Sequence, residues 1–263
     1  SAARTAAAPS SWLNGLSSGW HRATDRQAAV IDKRPARVAG MFDAIAARYD
    51  LLNHLLSAGL DRGWRRRAIR SLGLSGGETL VDLCTGTADL ALAAAAGGAG
   101  RVIGVDFAAE MLRLGAAKVR RRGGVALVRG DATCLPIGSS TADAATVAFG
   151  IRNVERPERA LAEMFRVLRP GGRAAILEFS IPASPVVRAV YLPYFRHVLP
   201  RIGRLVSGHL SAYSYLPASV GSFIAPSDMA ALLRRSGFDQ VEAASLALGA
   251  VTLYTARKAA ADR

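Results

Sequence analysis

Val81-Asp82-Leu83-Cys84-Thr85-Gly86-Thr87-Ala88-Asp89-Leu90 is the stretch on which the fold turns. An apolar run ends near Leu83, a loop of small residues follows, and a helix-compatible segment begins. At such a strand–loop–helix junction, backbone N–H groups face outward and ligands bind at the carboxyl edge of a sheet. The dinucleotide pattern GxGxxG is not met, because Ala88 and Ala91 replace its later glycines. No Lys-Ser/Thr pair is present to hold a triphosphate.

Outward from this loop, short apolar runs alternate with helical ones. Strands are predicted over residues 79–83, 101–105, 125–128, 142–149 and 173–177, and helices around 90–96, 109–121 and 157–168. That rhythm implies a parallel sheet covered on both faces. Arg169-Pro170-Gly171-Gly172 reads as a helix stop followed by a turn into the next strand. Pro226 and Ser227 introduce a helix to Arg235, and residues 240–246 and 250–255 read as a final hairpin around Gly249. Upstream, Met41, Ile45, Tyr49, Leu52 and Leu56 recur at spacings of three and four, a helical stripe. Asp61 is placed to cap a second helix, in which Trp64, Ala68 and Leu72 line up beside Arg62, Arg65, Arg66, Arg67 and Arg70.

Asp106 ends the second strand, about twenty residues after the loop, where a carboxylate can accept two hydrogen bonds from a ribose diol. Asp131 and Ala132 follow the third strand, where a carboxylate can take an adenine amino group. Each acid alone is a plausible helix cap or turn residue. Together, past consecutive strands, they fit a nucleoside lying across the sheet edge.

Composition bounds the rest. The chain has 263 residues, 51% of them hydrophobic, enough to bury a sizeable core and too apolar for disorder. Cys84 and Cys134 are the only cysteines, which rules out a disulfide scaffold and suits a reducing compartment. No stretch approaches the ~18–20 apolar residues of a membrane span. Four scattered histidines and two isolated cysteines form no metal-binding cluster, so no metal is expected. Thirty-four Lys and Arg against twenty Asp and Glu give a formal +14, attractive to nucleic acid, anionic lipid or an anionic ligand. Residues 1–37 read as a flexible leader without the h-region of a secretory signal. Residues 38–258 read as one domain, with N-terminal helices over 38–75 and a Pro- and aromatic-rich segment over 180–225; residues 259–263 are a tail.

The loop and its acids resemble the class I S-adenosylmethionine-dependent methyltransferases, and that resemblance implies this cofactor rather than a dinucleotide. By the same resemblance Asp82, Thr85, Gly86 and Thr87 approach the methionine part, Asp106 the ribose, and Asp131 with Ala132 the adenine. Ala88 stands where many members carry Gly, which would set the loop slightly further from the cofactor.

A closer resemblance rests on other strings. They are Met41-Phe42-Asp43-x-Ile45-Ala46-x-x-Tyr49-Asp50-Leu51-Leu52-Asn53, Phe149-Gly150-Ile151-Arg152-Asn153-Val154, Leu177-Glu178-Phe179-Ser180, Tyr194-Phe195-Arg196-His197-Val198-Leu199-Pro200 and Tyr213-x-Tyr215-Leu216-Pro217-x-Ser219-Val220. These resemble the UbiE/MenG quinone C-methyltransferases over about Val38 to Lys258. The resemblance implies an α/β, Rossmann-like methyltransferase with a largely parallel seven-stranded sheet, helices on both faces, an N-terminal helical extension and an inserted helical cover. It further implies methyl transfer from S-adenosylmethionine to a ring carbon of a polyprenylated demethylquinol. Demethylmenaquinol is the preferred substrate, with the ubiquinone-pathway quinol as the alternative. Ala148 stands where many relatives have Ser beside the cofactor.

Such a reaction needs methyl and ring carbon aligned and the ring phenol ionised. Arg152 is expected to stabilise the phenolate; the alternative is a helix-start arginine pairing with Glu155 or Asp131. Tyr49 and Asp50 are expected to line the ring pocket, or Tyr49 to belong to the core stripe. His197 is a candidate base on the cover, or a structural histidine.

Residues 180–225 are expected to cover a prenyl channel, with Pro193, Pro200 and Pro217 breaking them into short pieces, or else to form a homodimer interface or extra core. Because such a substrate lives in a bilayer, Arg196, Arg201 and Arg204 are expected to meet anionic headgroups of a membrane surface. The expected location is cytoplasmic, peripheral at the inner face of the membrane. An RNA methyltransferase and a non-catalytic assembly factor are the more distant alternatives. No RNA-binding module or catalytic Cys motif is evident, so no nucleic-acid partner is expected.

Overall fold

The computed structural model describes residues 32–198, 201 and 210–260. Seven strands form one sheet: β1 (Thr79–Leu83), β2 (Arg101–Asp106), β3 (Val125–Arg129), β4 (Ala142–Ala148), β5 (Leu168–Phe179), β6 (Phe238–Leu246) and β7 (Val251–Lys258). Their order is β3-β2-β1-β4-β5-β7-β6. β7 runs antiparallel to β5 and β6, and the other paired strands are parallel. Between β3 and β4 the chain crosses from one side of β1 to the other. The loops leaving β1 and β4 therefore diverge and open a crevice at the carboxyl ends.

The helices are α1 (Pro35–Leu56), α2 (Leu60–Ser71), α3 (Asp89–Ala96), α4 (Ala109–Arg122), α5 (Pro157–Val167), α6 (Pro185–Pro193), α7 (Leu210–Gly221) and α8 (Pro226–Arg235). Strand alternation sends Val81, Leu83, Val105 and Val147 into one core layer with Leu161 and Met164 of α5 and Leu233 of α8. Leu80, Val102, Ala144 and Leu177 enter the opposite layer with Ile69 of α2, Leu72 just after it and Leu90 of α3. Helices on both faces leave the central strands β1 and β4 mostly apolar, as a buried parallel sheet requires, with Asp82 and Thr146 the buried polar exceptions.

Pro35 occupies the first turn of α1, where its missing N–H loses nothing. The helix thus begins three residues ahead of Val38. Ile45 and Leu52 are buried, and Ala46 packs on Ala108 and Met111 at the start of α4. That contact lays α1 along the rim of the crevice.

Asp61 does not cap α2: Gly59, with φ +75°, is the cap residue, and Asp61 sits buried in the first turn. There it accepts from His54 Nδ1 at 2.8 Å, from Ser57 Oγ at 2.9 Å and from Arg65. Arg169–Gly172 are not a simple turn ahead of a strand. Leu168 already pairs with Ala142, the chain loops out through Gly171 at φ +78°, and pairing resumes between Arg173 and Ala144. Pro217 lies inside α7 instead of ending it.

The cover contains α6, a π-helical turn over Tyr194–Val198, and α7. Pro200 and Arg204, like the leader up to residue 31 and the last three residues, lie outside the described residues. Among the described residues, no single helix is long and apolar enough to cross a membrane.

Candidate active site

Two adjoining hollows lie over the ends of β1, β2 and β4 and share Phe107, Asn153 and Val154. Through these shared residues they form one continuous crevice. One end is lined by Asp131, Ala132 and Lys33, the other by Asp106, Gly86, Cys84, Tyr49, Ala148 and Phe149.

Asp106 is the best-organised acid in the crevice. Its Oδ2 accepts from the Gly86 N–H at 2.8 Å and its Oδ1 from the Ala108 N–H at 2.9 Å. Burial raises its pKa, and the backbone N–H bonds pull it back toward the charged form. A carboxylate has about four lone-pair positions, so both oxygens keep capacity for two further donors, which suits a vicinal diol. Asp131 turns one oxygen to the Thr133 N–H at 2.8 Å and stays exposed at the other end of the crevice.

Asp82 lies beneath the loop, not on the crevice. Its carboxylate is 1% exposed and accepts from Thr85 Oγ1 at 2.6 Å and Thr146 Oγ1 at 2.7 Å. It therefore braces the loop against β4 instead of reaching a ligand. Burial pushes this carboxyl up to about 6 despite its two hydroxyl donors. With the folded pKa above the unfolded value of 3.8, the native state binds more protons between those values. Asp82 therefore costs stability as pH rises through that window. In Asp82→Asn this slope is expected to vanish. Chemical denaturation should then show the variant gaining on the wild type by about 2 kcal/mol between pH 4 and pH 7. A pH-independent difference would contradict this placement.

Thr85 and Thr87 are also turned inward. The Thr87 hydroxyl donates to Asp50 Oδ1 at 2.6 Å and accepts from Lys118 Nζ at 3.0 Å. Lys118 also holds Asp50 at 2.5 Å and Asp89 at 2.6 Å. Asp50, expected in the ring pocket, instead ties α1 to the loop. Ala88 takes φ +67°, the left-handed conformation that glycine adopts freely. Its methyl is fully buried in the layer under α3 and so does not hold the loop away from the crevice.

Strain marks both strand ends. Cys84 after β1 has φ +51° and Phe149 after β4 has φ +56°, and both line the crevice. A Cβ at Gly150 would lie 2.5 Å from Cys84 Cβ, so only glycine lets the two loops touch.

The turn at Phe149 aims its carbonyl at Arg152, which is 5% exposed. Arg152 pairs with neither Glu155 nor Asp131. Its Nη1 donates to Glu178 Oε1 at 2.9 Å and to the Phe149 carbonyl, its backbone N–H to Glu178 Oε2 at 3.2 Å, and its Nε to Ser219 Oγ at 3.4 Å. Its Cζ lies 5.4 Å from the Phe179 ring centroid. Asn153 lines both hollows and donates to the Phe149 carbonyl, while its buried Oδ1 has no partner among the described residues.

Tyr49 reaches the crevice beside Phe42, edge to face at 5.9 Å, and burial raises its pKa. His197 does not: it is exposed on the cover, where its carbonyl accepts from Arg201 at 2.8 Å. Ala148 lines the crevice with a methyl. Among the described residues, no group of three or more His, Cys, Asp or Glu is placed to hold a metal.

Three participants carry no assigned role in the sequence reading. Glu178 closes β5, and the strand-end acid pattern that picks out Asp106 and Asp131 applies to it equally. Lys33 lies in the segment read as leader, and burial lowers its pKa. Lys118 is 31 residues from Thr87, with no local signal linking them.

The profile of the ubiE/COQ5 methyltransferase family matches residues 30–258. The chain belongs to this family. It is 47% identical over 227 residues to the ubiquinone/menaquinone biosynthesis C-methyltransferase UbiE of Syntrophotalea carbinolica, covering 85% of this chain and 95% of the relative. It is 41% identical to the demethylmenaquinone methyltransferase of Streptomyces avermitilis, covering 88% and 98%. The fold is shared with a solved SAM-dependent methyltransferase of Thermotoga maritima, described as a possible histamine N-methyltransferase. That match has TM-score 0.58 and 18% identity and covers 84% of this chain and 99% of the other. The methyltransferase is thus an enzyme that uses S-adenosylmethionine, and the crevice fits that cofactor: a buried acid with lone pairs left over, a second acid past the next strand, and an apolar wall between them.

Proposed function

We propose that the enzyme methylates a ring carbon of a polyprenylated demethylquinol, converting demethylmenaquinol to menaquinol. S-adenosylmethionine, when bound, supplies an electrophilic methyl on a sulfonium. In this reading Asp106 accepts the ribose hydroxyls, Asp131 with Ala132 meets the adenine, and Gly86, Cys84 and Ala148 border the methionine end. Tyr49 and Phe149 wall the ring site.

Arg152 stabilises the ring oxygen as phenolate. A guanidinium is a poor base, so its role is electrostatic. Glu178, the Phe149 carbonyl and Ser219 hold three sides of the guanidinium, and its Nη2 makes no hydrogen bond among the described residues. A buried cation there lowers the phenol's pKa, so that the proton leaves to water and the ring carbon becomes nucleophilic. Asn153 Oδ1 is an acceptor for a ligand hydroxyl. The observation that carries the reading is the buried Arg152–Glu178 pair, tied through the Phe149 carbonyl to a residue that lines the crevice.

Contact with an anionic membrane belongs to the same proposal. Val186 and Val190, 76% and 73% exposed, lie four residues apart on α6, whose sequence includes Arg188, with Arg196 and Arg201 following. Flotation with liposomes that is independent of anionic lipid would remove it. The function itself is tested with labelled S-adenosylmethionine and chemically reduced demethylmenaquinone in detergent, beside the ubiquinone-pathway quinol and total RNA. Label is expected in the menaquinol product. Label only in the benzoquinol product would reassign the pathway, and label in RNA would overturn the reading.

A further inference from the structure

Two phenols in the cover stand apart from the other buried polar groups described. Tyr191 on α6 and Tyr215 on α7 bury their hydroxyl oxygens with no partner among the described residues. Native folds satisfy nearly every buried polar group, so a pair of exceptions in one region calls for a physical reason.

Their surroundings supply one. Tyr215 stands four residues before Ser219, on the same face of α7, and Ser219 Oγ is 3.4 Å from Arg152 Nε. Tyr191 stacks on Phe195 with ring centroids 5.0 Å apart. Phe195 lies 6.3 Å from Phe179, and Phe179 lies 4.6 Å from Phe149, which lines the crevice. A continuous aromatic wall therefore runs from the cofactor end of the crevice to the cover, with Arg152 against its middle. The Arg152 charge reaches both phenols, yet burial raises both pKa values, so each remains an O–H donor at neutral pH.

We propose that Tyr191 and Tyr215 are the second polar anchor of the aromatic substrate, hydrogen-bonding the ring oxygen across the ring from the one that Arg152 faces. This rests on the quinol reading above. One anchor holds a ring oxygen but leaves the ring free to pivot about it. Two anchors on opposite oxygens fix which carbon is presented to the methyl group. The pair would thereby select para-dioxygenated rings over rings with a single hydroxyl.

The test compares demethylmenaquinol with the same prenylated naphthol that keeps the hydroxyl next to the methylated carbon and lacks the one across the ring. For the wild type, kcat/KM is expected to favour the quinol by about a hundredfold, since a site built to bind a hydroxyl leaves its own groups unpaired with the analogue. Tyr191→Phe and Tyr215→Phe should each cut that preference about tenfold, and the double variant should abolish it. Affinity for S-adenosylmethionine should stay at the wild-type value, and Tm should hold or rise, because an unpaired buried hydroxyl is removed. A double variant that keeps the preference overturns the proposal. So does a fall in Tm and cofactor affinity together, which would make the phenols structural. If the wild type methylates neither compound, the quinol reading falls first and this proposal with it, an outcome distinct from intact turnover with unchanged preference.

Discussion

Glu178→Ala is expected to destabilise the enzyme by about 3–5 kcal/mol, the cost of leaving a buried cation without its partner. Glu178 is 1% exposed and accepts three donors: Arg152 Nη1, the Arg152 N–H and the Phe179 N–H at 2.8 Å. Removing it strands all three away from water. The double variant Arg152→Met/Glu178→Leu should recover much of the loss, since buried ion pairs replaced by apolar groups of similar volume are often neutral in stability. Turnover, by contrast, should remain absent in the double variant, because no guanidinium is left to stabilise a phenolate. Equilibrium unfolding and methyl transfer measured on the same three proteins separate the two roles. Recovery of turnover with stability would take Arg152 out of the chemistry.

Asp106→Ala should lower affinity for S-adenosylmethionine about a thousandfold. Two charge-assisted hydrogen bonds, each worth about 1.5–3 kcal/mol, would be lost. The Gly86 and Ala108 N–H groups would lose their acceptor as well. Asn is not a conservative replacement here. Each carboxylate oxygen faces a backbone N–H, so an amide nitrogen in either position would oppose a donor. Calorimetric titration should therefore place Asp106→Asn close to Asp106→Ala. An affinity within threefold of wild type in either variant would remove Asp106 from the cofactor site.

The strand-end acids show how far a sequence reading reaches into a site. Asp106 and Asp131 were legible because a position past a parallel strand lies at the carboxyl edge whatever the side chains around it do. Asp82 sits next to the same loop, but two threonines, one of them 64 residues away, draw its carboxylate inward. The same holds for Thr87, which Asp50 and Lys118 capture from α1 and α4. Arg152 and Glu178 each stand in a string that carries the family resemblance, but only the fold, bringing together residues 26 apart, shows that they pair.

What the sequence determined by itself was the alternation of strands and helices in a parallel sheet covered on both faces. Apolar periodicity, helix stops and loop composition are local signals, and they leave few topologies once a parallel sheet with covered faces is required. The tertiary structure decided which polar groups face a ligand and which face each other. That choice depends on where distant side chains meet and how deeply they are buried. Low dielectric makes an unpaired charge costly there, so the nearest partner in space, not in sequence, takes it.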